Sequence, residues 1–187
     1  VRDELAQLAM EKTRFRIAFD PEMAADSDGA GPDTWTERGL ERAEFLLSPN
    51  PGEELRPLAR VASGGELSRI MLALKSVAHG ATPGVTLVFD EIDAGIGGRV
   101  AEVVGRKLRA VAAHQQVLCV THLPQIAAFA DQHLSVHKRV ESGRTVTNVE
   151  VLSSSQRVEE VARMLAGEVV TDKARSHARE MLNQNLR

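Results

Sequence analysis

The 187-residue chain is poor in cysteine and in aromatic residues, with one cysteine, Cys119, one tryptophan and no tyrosine. A single cysteine excludes an internal disulfide and a thiolate zinc site, and with them the disulfide-stabilised secreted class. So few rings leave little material for stacking bases, and a net charge of −3 gives no overall attraction for nucleic acid. Apolar runs are short, and residues 1–12 are too charged for an export signal. We therefore expect a cytoplasmic protein with no membrane partner.

Hydrophobic residues make up 43% of the chain, which is enough to bury a core, and the length suggests one compact domain, with or without an appendage. The first residue is Val1 rather than Met, which hints at a piece of something longer. Val1, Leu5 and Leu8 have the a/d spacing of a coiled coil, so we predict that residues 1–12 are the end of a coiled-coil arm. A short amphipathic helix would give the same spacing.

Residues 13–187 alternate between strand and helix patterns. A strand is predicted over 13–19 and a returning strand over 41–48, with a mobile loop over 20–39, where Gly, Asp and Pro are frequent. Two buried strands flank a helix and form a βαβ unit, which is typical of a parallel sheet. A helix is predicted over 66–79. The βαβ unit follows, with strands over 85–89 and 116–120 and a helix at 100–111 between them. The chain then has a predicted hairpin of 132–140 and 144–152, a helix carried by Val158–Leu165 and a helix that starts after Thr171.

Two carboxylates, Asp90 and Glu91, follow the predicted strand 85–89. Ligands of open α/β sheets bind at the carboxyl ends of the strands. In a phosphate-transfer site, a carboxylate at this place holds Mg²⁺, directly or through water, and a second one orients and deprotonates the attacking water. An apolar run followed by Asp-Glu is also a common strand-to-loop transition, so both interpretations stay open at this point.

A glycine pair lies just before the predicted helix 66–79. Ser63 is followed three residues later by Glu66, which is the pattern of a capping box. Gly64 and Gly65 between them would also let backbone N–H groups approach an anion at the positive end of the helix dipole. The segment is therefore either a helix cap or a phosphate site.

His122 ends the second buried strand and is expected at the same sheet edge as Asp90. A neutral histidine there could hydrogen-bond a phosphate oxygen or the attacking water. A lone histidine at a strand end is more often structural. Its proximity to the two carboxylates favours the functional interpretation.

Together these segments resemble the C-terminal half of an ATP-binding-cassette head of the SMC-like family, most closely a bacterial DNA repair branch of that family. ASGGELSR at 62–69 matches the signature motif, and LVFDE at 87–91 matches Walker B. DAGIGG at Asp93–Gly98 matches the D-loop region, and THLPQIAAFAD at 121–131 matches the switch-histidine segment. The likeness extends from Phe45 to Gly167 and so covers most of the chain. It implies an α/β ATPase head with a mostly parallel sheet and flanking helices, of which 13–187 is the C-terminal segment.

The resemblance implies an ATPase that uses ATP and Mg²⁺ at a head–head dimer interface. Asp90 would hold Mg²⁺, directly or through water, while Glu91 and His122 would be catalytic. Gly97 stands where many cassettes carry an aspartate, so the chain departs from the usual D-loop there. The residues implied to contact nucleotide across the dimer are the signature residues Ser63, Gly64, Gly65 and Glu66, which bind the ATP of the partner subunit, and the D-loop residues Asp93, Gly95 and Gly97.

No lysine follows a glycine anywhere in the chain, so the Walker A loop that holds the β- and γ-phosphates is absent. The resemblance supplies an explanation, because in this family Walker A lies in an N-terminal segment of the same protein beyond a long coiled coil. The implied partners are that N-terminal segment, a second head in a homodimer and, through the whole protein, DNA. The implied setting is double-strand break repair and recombination at the nucleoid.

Two alternatives stay open. The nucleotide-binding domain of a transporter would carry Walker A well before the signature on the same chain, whereas only 62 residues precede Ser63. A non-catalytic DNA- or partner-binding head would keep the fold without turnover. The presence of both Asp90 and Glu91 argues against this second alternative, since a head that only binds needs no general base.

Overall fold

A computed structural model describes residues 1–20, 42–60, 63–78, 84–141 and 143–185. The chain divides into two compact units, Val1–Val77 and Ala78–Arg187. Apart from Asp20, the predicted mobile loop over 20–39 lies outside the described residues. In the described part of the chain, no helix combines the length and the apolar character that a membrane crossing requires.

The first unit is built around an antiparallel hairpin. Strands β1 (Arg14–Asp20) and β2 (Arg42–Ser48) are the predicted strand and returning strand, and they pair with Phe15 opposite Leu47. A two-residue strand β3 (Arg56–Pro57) adds to β2 and runs into a 3₁₀ turn at Leu58–Arg60. Sequence reasoning missed β3, because two residues, one of them proline, show no periodicity.

Helix α1 (Arg2–Gln7) is short, and its apolar residues face the core of the first unit. Leu5 and Leu8 are buried, and α1 contacts α2 (Gly64–Val77). The chain turns away at Ala9, whose φ is +60°. Burial of both leucines within the unit is what the short amphipathic helix predicted. The coiled-coil arm over 1–12 stays a prediction.

The predicted βαβ unit is present in the second unit. Strand β4 (Thr86–Phe89) runs parallel to β5 (Gln116–Cys119), with Phe89 opposite Cys119, and α3 (Gly98–Ala112) connects them. Among the described residues, β4 and β5 form the parallel strand pair, and the other strand pairs are antiparallel. The sheet content therefore differs from the mostly parallel sheet that the resemblance implied.

The prediction that β4 and β5 are buried on both faces was wrong. Val88 is 64% exposed, Leu118 44% and Val120 60%, whereas Phe89 is 3% exposed. Because side chains alternate along a strand, these values mean that one face of the pair is covered and the other is open. Parallel sheets are normally covered on both faces. These two strands, in contrast, have apolar side chains that this structure leaves exposed.

The chain continues with a hairpin and two helices. Strands β6 (Leu134–Glu141) and β7 (Arg144–Val151) are antiparallel, as predicted, and are preceded by a single-turn helix α4 (Pro124–Ala127). Helices α5 (Ser154–Ala166) and α6 (Asp172–Asn185) follow. Ser153 and Gln156 form a capping box at the start of α5, and Gly167 ends that helix with φ +80°. The predicted apolar faces meet in one cluster of Val161, Ala162, Ala178 and Leu182 with Ala128.

Helix α3 packs closely against the segment that follows α4. A Cβ built on Gly105 would lie 2.9 Å from Cε2 of Phe129 and closer still to Cδ2. We expect Gly105→Ala to lower the free energy of unfolding by about 1–3 kcal/mol through overpacking, although alanine ordinarily stabilises a helix interior. Urea unfolding of the chain measures this change.

The matched control repeats Gly105→Ala in a Phe129→Ala background. With the ring removed, the same substitution should raise the free energy of unfolding by about 1 kcal/mol, the ordinary helix preference for alanine. An unchanged sign in the two backgrounds would contradict the close contact.

Candidate functional site

The two carboxylates lie where β4 leaves the sheet. Asp90 and Glu91 are both exposed, and Oδ1 of Asp90 accepts a hydrogen bond from the Glu91 N–H at 2.9 Å. The Val120 N–H donates to the Phe89 carbonyl at 2.9 Å, which keeps the ends of β4 and β5 together. The segment 121–122 therefore leaves the sheet at the same edge as Asp90, as the sequence predicts.

Glu91 has an unusual backbone conformation. Its φ is +53°, in the left-handed region that costs a residue with a side chain about 1 kcal/mol or more. The turn is closed by the Ala94 N–H, which donates to the Glu91 carbonyl at 2.9 Å. A costly conformation at an exposed position is typical of a residue whose placement serves function. Nothing in the sequence indicates it, since glutamate is a poor left-handed residue.

Asp93 is buried beneath the segment that carries His122. It is 4% exposed, and its Oδ2 accepts from the Thr121 hydroxyl at 2.6 Å and from the His122 backbone N–H at 2.9 Å. The same oxygen lies 2.9 Å from Nδ1 of His122. Sequence reasoning missed these contacts, which span 28 and 29 residues. The D-loop role of Asp93 stays a prediction, and its side chain in this structure points away from solvent.

The His122 segment is also held from its far end. The imidazole itself is 76% exposed. Downstream, the guanidinium of Arg157 on α5 donates to the carbonyls of Ala127 and Ala128 at 3.2 and 3.3 Å, and to that of Ala130. Burial lowers the pKa of Arg157, which Asp131 partly offsets. The exposed ring therefore lies on a segment that Asp93 holds at its start and Arg157 holds at its end.

Ser63 caps helix α2 in the first unit. Its hydroxyl accepts from the Glu66 N–H at 3.4 Å, and its carbonyl accepts from the Leu67 N–H at 2.9 Å. The helix-cap prediction is therefore confirmed. Gly64 is exposed, Gly65 is buried and Glu66 is partly buried. Binding of an anion by these residues stays a prediction.

The glycines of the D-loop region differ in what their backbone requires. Gly95 has φ +72° and Gly98 has φ +50°, which favour glycine. Gly97 instead has φ −170°, an extended conformation open to any residue, and a Cβ there would meet nothing within 4 Å. An aspartate would fit at 97, so the departure from the usual cassette pattern is a choice of side chain and is not imposed by the fold.

The exposed Asp90 carboxylate is compatible with a Mg²⁺ ligand. Among the residues that the structure describes, no three His, Cys, Asp or Glu side chains cluster as a complete metal site. Mg²⁺ commonly binds one or two carboxylates and takes its other ligands from water and substrate phosphates. An exposed carboxylate at a parallel-strand edge matches that donor set.

Cys119 lies in β5 behind this edge, and burial raises the pKa of its thiol to about 12, with smaller contributions from Asp93 and Asp90. At about pH 8 its thiolate fraction should be about a thousandfold below that of an unfolded chain. We expect iodoacetamide to label the folded chain correspondingly slowly and the urea-unfolded chain rapidly. Between about pH 9 and 12 the thiol ionises in the unfolded chain but not in the folded one, so the free energy of unfolding should fall as the pH rises. In Cys119→Ser this fall should be absent. Fast labelling of the folded chain would contradict the burial.

Comparison with known proteins gives sequence relatives and structural neighbours, while no family model matches the chain. The chain is 44% identical to the DNA repair protein RecN of Halalkalibacterium halodurans over 98% of its own length and 31% of that protein. It is 44% identical to RecN of Bacillus subtilis over 98% of its own length and 33% of that protein. The chain thus spans about a third of the curated relatives it matches.

A solved structure resembles the fold. The Smc head domain from Pyrococcus yayanosii, crystallised with a coiled coil and joint, matches with a TM-score of 0.53 and 18% identity. The match covers 86% of this chain and 27% of that one. The chain therefore has the α/β fold of an SMC head domain.

Proposed function

Because the chain corresponds in sequence to a C-terminal segment of the DNA repair protein RecN, we propose that it is the C-terminal part of an SMC-like ATPase head. In this proposal the head hydrolyses ATP between two subunits. The observation that carries it is the shared edge of β4 and β5, where Asp90, Glu91 and His122 leave neighbouring parallel strands.

At this edge the side chains have distinct roles. Mg²⁺, when bound, neutralises charge on the β- and γ-phosphates. Asp90 would hold that ion, directly or through water. Glu91, fixed in its left-handed turn, would take the proton of the attacking water. His122 would hydrogen-bond the water or a phosphate oxygen from its exposed ring.

The signature segment would serve the ATP of the other subunit. The exposed Gly64 and the cap at Ser63 leave a helix start open to an anion. We propose that Ser63, Gly64, Gly65 and Glu66 close on the γ-phosphate bound by the partner head. The backbone of the D-loop residues Asp93, Gly95 and Gly97 would lie at the same interface, while the Asp93 side chain points inward and Gly97 offers no carboxylate.

The open apolar face of the parallel pair supports a split head. Val88, Leu118 and Val120 are exposed on one face, which a parallel sheet normally covers. We propose that an N-terminal segment of the same protein, carrying Walker A, covers this face and supplies the lysine that this chain lacks. Residues 1–12 would then end the coiled-coil arm that joins the two segments.

For the whole protein we propose ATP-driven pairing of two heads, with the coiled coils coupling this cycle to DNA during double-strand break repair and recombination. This activity would be located in the cytoplasm at the nucleoid. The alternatives are the head of another ABC- or SMC-type ATPase and a non-catalytic binding module.

The 187-residue chain alone should not hydrolyse ATP, because nothing in it replaces the Walker A lysine. Adding the matching N-terminal segment should restore Mg²⁺-dependent phosphate release, measured against a segment whose Walker A lysine is replaced by alanine. Turnover by the chain alone would refute the split head. Tight ATP binding without turnover by the assembled head would instead favour the binding module.

A further inference from the structure

One buried carboxylate oxygen connects the two loops at the sheet edge. Oδ2 of Asp93 accepts from Thr121 and His122, and the Thr121 hydroxyl in turn accepts from the Leu123 N–H at 3.0 Å. Asp93 is only two residues beyond Glu91, and the Glu91 carbonyl closes the turn between them. Asp93 therefore joins the loop that carries the two carboxylates to the loop that carries the histidine.

The two ring nitrogens of His122 differ in their distance from the Asp93 carboxylate. Nδ1 lies 2.9 Å from the carboxylate, so a proton on this nitrogen would lie against Asp93. Nε2, on the far side of the ring, faces away from Asp93. Asp93 is almost fully buried while the ring is largely exposed, so the carboxylate contacts the ring from the protein interior.

We propose that Asp93 is a positioning residue that fixes the orientation and the Nδ1–H tautomer of His122, so that Nε2 is the atom offered to the nucleotide. Asp93 touches no substrate in this role and acts through His122. The inference rests on the proposed function for its effect on turnover, but the contact and the tautomer do not. A carboxylate behind a functional imidazole fixes the tautomer in other sites. Removing such a partner costs about ten- to a hundredfold behind a metal-ligating histidine.

The first experiment needs no ATP. Nitrogen NMR of the ring of His122 in the full 187-residue chain, at about pH 9 where imidazoles are neutral, should show Nδ1 protonated and Nε2 bare. In Asp93→Asn the ring should shift toward a mixture with the Nε2–H form. Glu102→Gln, an exposed change on α3, should leave the ring unchanged. An Nε2–H ring in the unaltered chain, or no shift in Asp93→Asn, would overturn the inference whatever the ATPase does.

The second experiment measures turnover by the chain assembled with its N-terminal segment. Asp93→Asn should lower kcat about ten- to a hundredfold and change the KM for ATP by less than about twofold, since the nucleotide is not touched. In a His122→Ala background, Asp93→Asn should cost nothing further. An equal additional loss in that background would show that Asp93 acts by another route and would overturn the proposal.

The two experiments separate this inference from the function on which it rests. Full turnover by His122→Ala would refute the catalytic role of His122 and with it the effect of Asp93 on turnover. The tautomer would still follow Asp93 in that case, which identifies the proposed function as the part that failed.

Discussion

In the assembled head, Glu91→Gln should bind ATP normally and hydrolyse it at least about a hundredfold more slowly, because an amide cannot take the proton of the attacking water. Heads that bind ATP without hydrolysing it should remain paired. Light scattering in the presence of ATP and Mg²⁺ should therefore show the variant as a persistent dimer, and phosphate release should show the loss of turnover. Turnover at the unaltered rate would remove Glu91 from the role of general base.

Two control variants distinguish the effect of the Glu91 carboxylate from the effect of its backbone conformation. Glu91→Gly removes the side chain and also the left-handed cost of about 1 kcal/mol at φ +53°. It should lose hydrolysis like Glu91→Gln and raise the melting temperature, whereas the glutamine variant should not. Glu102→Gln makes the same chemical change on an exposed face of α3 and should leave both turnover and pairing intact.

Ser63→Arg should abolish turnover by homodimers and leave ATP binding by the same head intact. Walker A and Asp90 are untouched, but a bulky cation at the start of α2 should block the approach of the partner's γ-phosphate. Mixing this variant with one that lacks the Walker A lysine should restore partial activity, because each mixed dimer keeps one composite site whole. Titrating one variant into the other and following phosphate release measures that recovery.

Ser63→Ala is the matched control, since Ser63 caps α2 through the Glu66 N–H. Loss of a cap costs about 1 kcal/mol and should lower the melting temperature in both Ser63 variants alike. The alanine variant lacks the hydroxyl but presents no bulk to the partner, so its turnover should fall less than that of Ser63→Arg. A lower melting temperature in both, with no recovery in the mixture, would leave Ser63 as a helix cap only.

Local periodicity was enough to predict most of the elements. The alternation of Phe15 and Ile17 predicted β1, although Ile17 is 43% exposed and only Phe15 of the two is buried. The apolar spacing from Val158 to Leu165 predicted α5, because burial of one helix face imposes this period directly. Elements without a period were missed, as β3 was. The coiled-coil spacing of Leu5 and Leu8 is ambiguous for the same reason, since a helix that packs within its own unit needs the same spacing.

The candidate site divides in a similar way. Strand order placed Asp90 and His122 at one edge, since parallel strands bring their carboxyl ends together. The left-handed turn at Glu91 could not be predicted, because the surrounding loop imposes it against the preference of the residue. The exposure of Val88 and Leu118 could not be predicted either. The apolar residues of a strand indicate that it can be buried, but they do not indicate which part of a protein covers it.

By itself the sequence determined the longer helices, most of the strands, the shared sheet edge of Asp90 and His122, and the absence of a Gly-Lys pair. These follow from contacts within a few residues and from the rule that parallel strands share an edge. Only the tertiary structure decided that Asp93 turns inward to hold Thr121 and His122, across 28 and 29 residues. The physical reason is that a buried carboxylate must be satisfied by whatever donors the fold brings to it, and those donors lie on a different loop.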